Sequence, residues 1–290
     1  MRYRPDAPLG NKRPLTMSPR PLALSALLSP GRPLVMGILN VTPDSFSDGG
    51  RFFAPERAIS HARAMVEGGA DILDVGAEST RPYGGAKPVG ADEEIARLAP
   101  VLEAVVAMGK PVSLDTMKPA VARWGLERGV AMLNDVWGFQ RDADIANVAA
   151  EFGAPVVLMH NRAEVDGSID ILADIEAFFR RSLALAARAG VAADQILLDP
   201  GIGFGKTPSQ SIEALAKVGR LRSLGKPLLV GASRKRFIDS VSPAPPERRI
   251  GGSLAAALHA VDHGAMILRV HDVAETTQAL RVRDAIMRVS

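Results

Sequence analysis

LVMGILNVTPDSFSDGG, residues 34 to 50, decides how the rest of the chain is read. Val35, Met36, Ile38 and Leu39 make a short apolar run with the length and branching of a strand buried on both faces, and Gly37 permits close packing. An edge strand would alternate in polarity, and this run does not. It stops at Asn40 and hands over to Pro43, Asp44, Ser45, Ser47, Asp48, Gly49 and Gly50, residues that bend and solvate a loop. A strand that delivers its end to a long polar loop invites the question of whether other strands do the same.

They do. Apolar runs at 34–39, 71–75, 111–114, 130–133, 155–159, 195–198, 227–230 and 265–268 make eight strands. Helical patterns lie between them, with Pro55 and Pro119 in first turns, Asp92 ahead of Glu93 and Glu94, and Asp272 three before Glu275 as a capping pair. Gly69-Ala70, Gly129-Val130, Gly153-Ala154 and Gly264-Ala265 close helices before the next strand. Eight such units in about 255 residues predict an α/β chain folded as a (β/α)8 TIM barrel, one domain over residues 34–290. A doubly wound open sheet is the rival, but no glycine fingerprint follows the first strand.

Composition agrees with one large core: 290 residues, 47% hydrophobic. The absence of cysteine excludes a disulfide framework, a thiolate zinc site and a cysteine nucleophile. With 35 basic and 32 acidic side chains nearly cancelling, composition gives no sign of a polyanion-binding protein. Residues 1–33 hold seven of the 21 prolines and six basic residues against one acid, which reads as a loosely ordered N-terminal extension. The apolar stretch at 22–28 is short, lacks a small-residue cleavage pattern and runs straight into the first strand, so a signal peptide is not expected. No other run approaches the roughly 20 apolar residues of a membrane span, and a soluble cytoplasmic enzyme is expected.

In a barrel of this kind the site is assembled where the strands end. Here those ends are polar: Asn40; Asp74 followed by GAESTRP; Asp115-Thr116; Asn134-Asp135; His160-Asn161-Arg162; Asp199 followed by PGIGFGK; GASRK; and Arg269-Val270-His271-Asp272. Helix capping explains Asp272 and Asp135 taken alone, but not eight polar exits on one rim. Asp115, Asn134 and Asp199 suit a flat, donor-rich heterocycle, since a carboxylate accepts two N–H bonds from a guanidine-like edge and an amide matches mixed edges. Arg234, Lys235, Arg269 and His271 leave the last two strands, where barrels often bind phosphate, and point to an anion pocket.

GIGFGK, residues 201–206, is not a Walker loop: Lys206 lacks a helix at the required spacing and Thr207 is followed by Pro208. Phe204 offers either a wall for an aromatic ligand or core packing. The loops at 41–53 and 76–91 have the length of lids, and Phe46 within the first needs an aromatic partner. The five histidines form no pair of the kind a metal hydrolase needs.

These segments resemble the bacterial dihydropteroate synthases, a pterin-binding enzyme family. MGILNVTPDSFSDGG, residues 36–50, is similar to the family's first signature almost letter for letter, and ADILDVGAESTRP, LDTMKPAVA, LNDVWG, LMHNR, LLDPGIGFGK, GASRK and ILRVHDVAET follow in the family's order. The chain departs at Ala77, where the family has a second glycine, in the loop YGGAKPVG, and at Ile202, where phenylalanine is common.

The resemblance implies condensation of 6-hydroxymethyl-7,8-dihydropterin pyrophosphate with p-aminobenzoate, releasing pyrophosphate with magnesium. By position it implies that Asp115, Asn134, Asp199 and Lys235 hold the pterin, lined by Met159 and Phe204. Asn40, Arg269 and His271 hold pyrophosphate, Asn40 also facing Mg2+. Phe46, Thr80, Arg81, Pro82 and Ser233 shape the aminobenzoate pocket. Asp115, Lys235, Arg269 and His271 would carry the catalysis, and a homodimer is expected, for which the small-residue run at 251–260 permits close helix packing. Two other readings stay open: a pterin-binding methyltransferase serving a corrinoid partner, and a paralogue that binds pterin without turnover.

Overall fold

The computed structural model describes residues 21–42, 54–78 and 89–289. Its centre is a closed parallel barrel in which the strands follow one another in chain order. They are β1 (Leu34–Asn40), β2 (Ile72–Gly76), β3 (Val112–Asp115), β4 (Met132–Asp135), β5 (Val156–Met159), β6 (Ile196–Asp199), β7 (Leu228–Val230) and β8 (Ala265–Val270). Closure comes from β1 against β8, with Met36 opposite Arg269. This is the predicted (β/α)8 architecture.

Outside the barrel run α2 (Ala54–Glu67), α3 (Ala91–Val106), α4 (Pro119–Leu126), α5 (Asp144–Phe152), α6 (Ile171–Ala189), α7 (Pro208–Ala216), α8 (Arg236–Val241), α9 (Ile250–Asp262) and α10 (Val273–Met287); the short α1 (Leu24–Leu27) precedes the barrel. Local chemistry fixes several ends. Asp170 accepts from the N–H groups of Leu172 and Ala173 to start α6, and the left-handed Gly190 ends it. Thr207 and Gln210 form a reciprocal capping box at α7 with Pro208 in its first turn, so a helix does follow GIGFGK. The capping pair expected at Asp272 does not form: its side chain makes no cap bond and is instead taken by Arg234.

Strand alternation organises the interior. One buried set, Val35, Leu73, Leu114, Leu133, Leu158, Leu198 and Leu268 among it, faces the helices. The other set, Met36, Ile72, Met132, Val157, Leu197, Leu229 and Ile267, fills the amino-terminal half of the barrel. Two residues beyond these, on the same face, stand Asp74, Asn134, Met159, Asp199, Gly231 and Arg269. The barrel is thus apolar below and polar above, and the polar end is the carboxyl end.

The extension differs from its expectation over residues 24–27. Leu24 and Leu27 of α1 are buried in the same cluster as the lower barrel side chains, and the Leu24 N–H donates to Gln195 Oε1 at 2.9 Å. The apolar stretch that raised the question of a leader is a plug over the open lower end of the barrel. Residues 1–20 lie outside the described residues.

Candidate functional site

Three strands meet through one guanidinium at the carboxyl end. Arg269 Nε lies 2.6 Å from Asp74 Oδ2, and its Nη2 lies 2.8 Å from Asp115 Oδ2. Asn134 Nδ2 donates to the same Asp74 oxygen at 3.2 Å. Among the described residues the second oxygens of Asp74 and Asp115 are buried without a partner, as is Ser113 Oγ, which is opposite Asp74 in the β2–β3 register. Burial pushes the Asp115 carboxyl above its usual range, and Arg269 pulls the other way. Buried acceptors without donors are costly alone and well matched to a ligand rich in N–H groups.

A narrow cleft opens beside this trio, lined by Asn134, Met159, Asp199, Phe204, Lys235 and Arg269. Asp199 accepts from the Gly201 N–H at 2.8 Å through Oδ1. Burial pushes its carboxyl up to about 6, opposed by that N–H and by Lys235 and Arg269. The Lys235 ammonium stands 4.0 Å above the centre of the Phe204 ring, a cation–π arrangement. Phe204 packs in a small apolar group with Met117, Val136 and Met159, apart from the main core, and also lines the cleft. Gly201 at φ +62° is obligatory, because a Cβ there would stand 1.9 Å from the His160 carbonyl oxygen.

At the exits of β7 and β8, Ser233 Oγ sits 3.1 Å from His271 Nδ1 and accepts from the His271 N–H at 3.3 Å. Burial, then Arg234 and Arg269, hold the His271 imidazole down to about 3. The ring expected among the cations is therefore neutral and acts as a hydrogen-bonding group. Arg234 is likewise corrected: its Nε binds Asp272 Oδ2 at 3.0 Å and a second nitrogen closes the pair, so its charge is matched within the fold.

Asn134, Asp199, Lys235, Met159, Phe204 and Arg269 converge on one cleft, and Asp115 joins through Arg269. Asn40 closes β1 beside Gly76. Phe46, Thr80, Arg81 and Pro82 lie outside the described residues. Asp74, in sequence only a strand exit, holds both Arg269 and Asn134; its place on the inward face of β2, in step with Ile72, is the signal the sequence carries for this. Asp135 turns away as a turn cap, accepting from the Trp137 and Phe139 N–H groups. Of the two positions that depart from the resemblance and are described, Ala77 and Ile202, both are buried in the outer core.

The pterin binding enzyme family profile matches residues 36–271. The dihydropteroate synthase of Bacillus subtilis (strain 168) is 44% identical over 264 residues, which cover 91% of this chain and 92% of that one. Among solved structures, a Xanthomonas albilineans dihydropteroate synthase with 4-aminobenzoic acid matches with a TM-score of 0.84 at 44% identity, over 88% of this chain and 93% of that one. The Xanthomonas albilineans enzyme in complex with 7,8-dihydropteroate matches with a TM-score of 0.81 at 42% identity, over 88% and 94%.

Proposed function

The chain belongs to the pterin-binding enzymes and, within them, to the dihydropteroate synthases, and from that membership we infer how its rim divides the reaction. It is a transferase that condenses 6-hydroxymethyl-7,8-dihydropterin pyrophosphate with p-aminobenzoate to give 7,8-dihydropteroate and pyrophosphate. The methyltransferase reading gives way to the identities with synthases.

The observation that carries the site assignment is the set of buried carboxylates with unpartnered oxygens around Arg269. The pterin presents ring and amino N–H groups to Asp115 and Asp199 and a mixed edge to Asn134, between Phe204 and Met159 with Lys235 at its carbonyl side. Asn40, Arg269 and His271 take the pyrophosphate. With Ser233 donating to Nδ1, the neutral His271 ring keeps its other nitrogen as an N–H donor. Ser233, Phe46, Thr80, Arg81 and Pro82 are assigned to the aminobenzoate side.

Where magnesium accompanies the diphosphate, Asn40 is the residue that would hold it, through one hard amide oxygen. Among the described residues no group of three or more His, Cys, Asp or Glu is gathered to cage an ion. What magnesium supplies when bound is neutralisation of charge on the leaving diphosphate.

The arylamine is already a neutral nucleophile at pH 7, so departure of the leaving group is the difficult step. Arg269 and the His271 N–H stabilise the oxygen that takes the electron pair as the pterin methylene C–O bond breaks; one such donor contributes about 3 kcal/mol. The amine nitrogen then attacks the cationic methylene and its surplus proton leaves to solvent. Pterin pyrophosphate binds before aminobenzoate in this order, and productive binding of aminobenzoate to free enzyme in isotope exchange contradicts it. The test of the assignment is pyrophosphate release with both substrates. Arg269→Ala is expected to lower turnover far more than pterin affinity, and equal losses contradict its role.

Among the described residues no helix is long and apolar enough to cross a membrane, and a cytoplasmic site accords with the absence of cysteine. A homodimer through the small-residue face of α9, where Gly251 and Ala255 are exposed, is supported by exposed Val282 on the neighbouring α10. Light scattering at the monomer mass would overturn it.

A further inference from the structure

Behind the pterin cleft lies a relay, buried at Lys206 and His160 and reaching the surface at Asp174, that the reaction as assigned does not use. Lys206, only 3% exposed, turns inward from the GIGFGK loop. Its Nζ lies 2.8 Å from the Gly201 carbonyl oxygen, 3.1 Å from the Phe204 carbonyl oxygen and 2.6 Å from His160 Nδ1. Three acceptors match the three protons of its ammonium form; burial draws the amine down to about 7, and Asp199 and Asp174 pull the other way. His160 is itself fully buried, and burial first, then the Lys206 charge, hold its ring down to about 4, a neutral acceptor toward Lys206. The proton is then on Nε2, which donates to Asp174 Oδ2 at 3.1 Å on α6. Arg162 Nε is 3.4 Å from the same carboxylate oxygen.

Both carbonyls held by Lys206 belong to residues that shape the cleft. The Gly201 N–H fixes one oxygen of Asp199, and the Phe204 ring lies under Lys235. Gly201, Gly203 and Gly205 all take positive φ, so the loop has little conformational preference of its own. Whatever order it lacks beforehand must be supplied when the ligand binds, at a cost in affinity. Lys206 is a tie from inside that loop to β5 and α6.

We propose that Lys206, seated by His160 and Asp174, is a positioning residue that sets Asp199 and Phe204 for the pterin ring before it arrives. This rests on the assignment of pterin to the cleft. The relay touches no reacting atom, and it faces the pterin side of the site, so its loss weakens pterin binding and leaves the aminobenzoate side alone.

The test uses the full-length enzyme with Lys206→Met, His160→Phe and His160→Asn, each checked for folding by thermal melting. His160→Phe keeps a ring against Phe178, which stacks edge-on at 4.9 Å, and removes the acceptor. His160→Asn restores an acceptor near the Nδ1 position. Calorimetry is expected to give pterin pyrophosphate dissociation constants raised on the order of tenfold for Lys206→Met and His160→Phe, with His160→Asn within about threefold of wild type. KM for aminobenzoate at saturating pterin should move by less than about twofold. Should Lys206→Met not fold, the two His160 variants decide. Unchanged pterin binding in folded Lys206→Met or His160→Phe, an Asn variant as weak as the Phe variant, or equal rises for both substrates overturns the proposal. Asp199→Ala separates the two levels. If it leaves pterin binding intact, the cleft assignment fails; if it abolishes binding while the relay variants do not weaken it, only the role of Lys206 fails.

Discussion

Arg269 Nε stands 2.6 Å from Asp74 Oδ2, a bond that reaches over β1 between its two neighbouring strands and joins residues 195 apart in sequence. Because Nη2 holds Asp115 at the same time, the guanidinium is fixed in orientation from two sides rather than merely attracted to the mouth. Asp74 is fully buried and is also the acceptor for Asn134, so its charge is shared between the cation expected on pyrophosphate and the amide expected on pterin. Asp74→Asn leaves Arg269 with one carboxylate. Breaking a buried pair in this way costs about 3–5 kcal/mol, and turnover should fall with it as the guanidinium loses its fixed direction. Urea unfolding reads the first effect and pyrophosphate release the second; wild-type stability would contradict the geometry.

Asp199 gives a pH dependence whose sign is determined. Burial holds its carboxyl up to about 6, and only the charged form accepts two N–H bonds from the pterin edge. Asp115, the other carboxylate assigned to the pterin edge, is held up to about 7, so pterin affinity is expected to fall as pH drops through 7 and to fall more steeply below 6, where both carboxyls take up a proton. The ligand-free fold behaves oppositely. A carboxyl whose pKa is raised contributes stability that is present below its unfolded value and is lost as pH rises through about 6. Calorimetric titrations from pH 5 to 8 check the binding limb, and Asp199→Asn should remove its steeper part below pH 6 while leaving the fall through 7 that belongs to Asp115.

Lys118 joins Glu78 and Glu94 just outside the rim. Glu94 is fully buried at 2.5 Å from the lysine, Glu78 closes the other side, and Glu78 also accepts from the Val89 N–H at 3.2 Å. Removing the lysine charge leaves two acids facing each other in a largely buried site. Lys118→Met should cost on the order of 3 kcal/mol, while Lys118→Met combined with Glu94→Gln should recover part of that loss. A double variant no more stable than the single one in urea would show that the pair is not coupled.

The barrel was legible because each strand is a local apolar run and each exit is a local change of polarity, as at Leu39-Asn40 and Leu198-Asp199. Membership of the cleft was legible for Asn134 and Asp199, which need only lie at the right height on the inward face, and for Lys235, which leaves β7 at the start of α8. Pairings were not. Asp74 against Arg269, Lys206 against His160 and Arg234 against Asp272 join residues 195, 46 and 38 apart, and only barrel closure and loop path decide which cation finds which acid. Local pattern even pointed the wrong way at Asp272, where a capping spacing is present but a stronger charged partner takes the side chain.

Residues 24–27 are the other misreading, and they lead to a prediction. Prolines and basic side chains around them suggested a loose tail, but a barrel must close its lower end, and Leu24 and Leu27 fill it over Leu34, Met36 and Ile267. Leu24 is 2% exposed, so Leu24→Ala should cost about 2–4 kcal/mol through lost burial and a residual cavity. The plug lies at the end of the barrel opposite Arg269, and packed layers separate the two. The variant should therefore melt at lower temperature while kcat and both KM values stay at wild type below that melt. A fall in kcat/KM with stability intact would mean that the lower end communicates with the site, which the layered interior argues against.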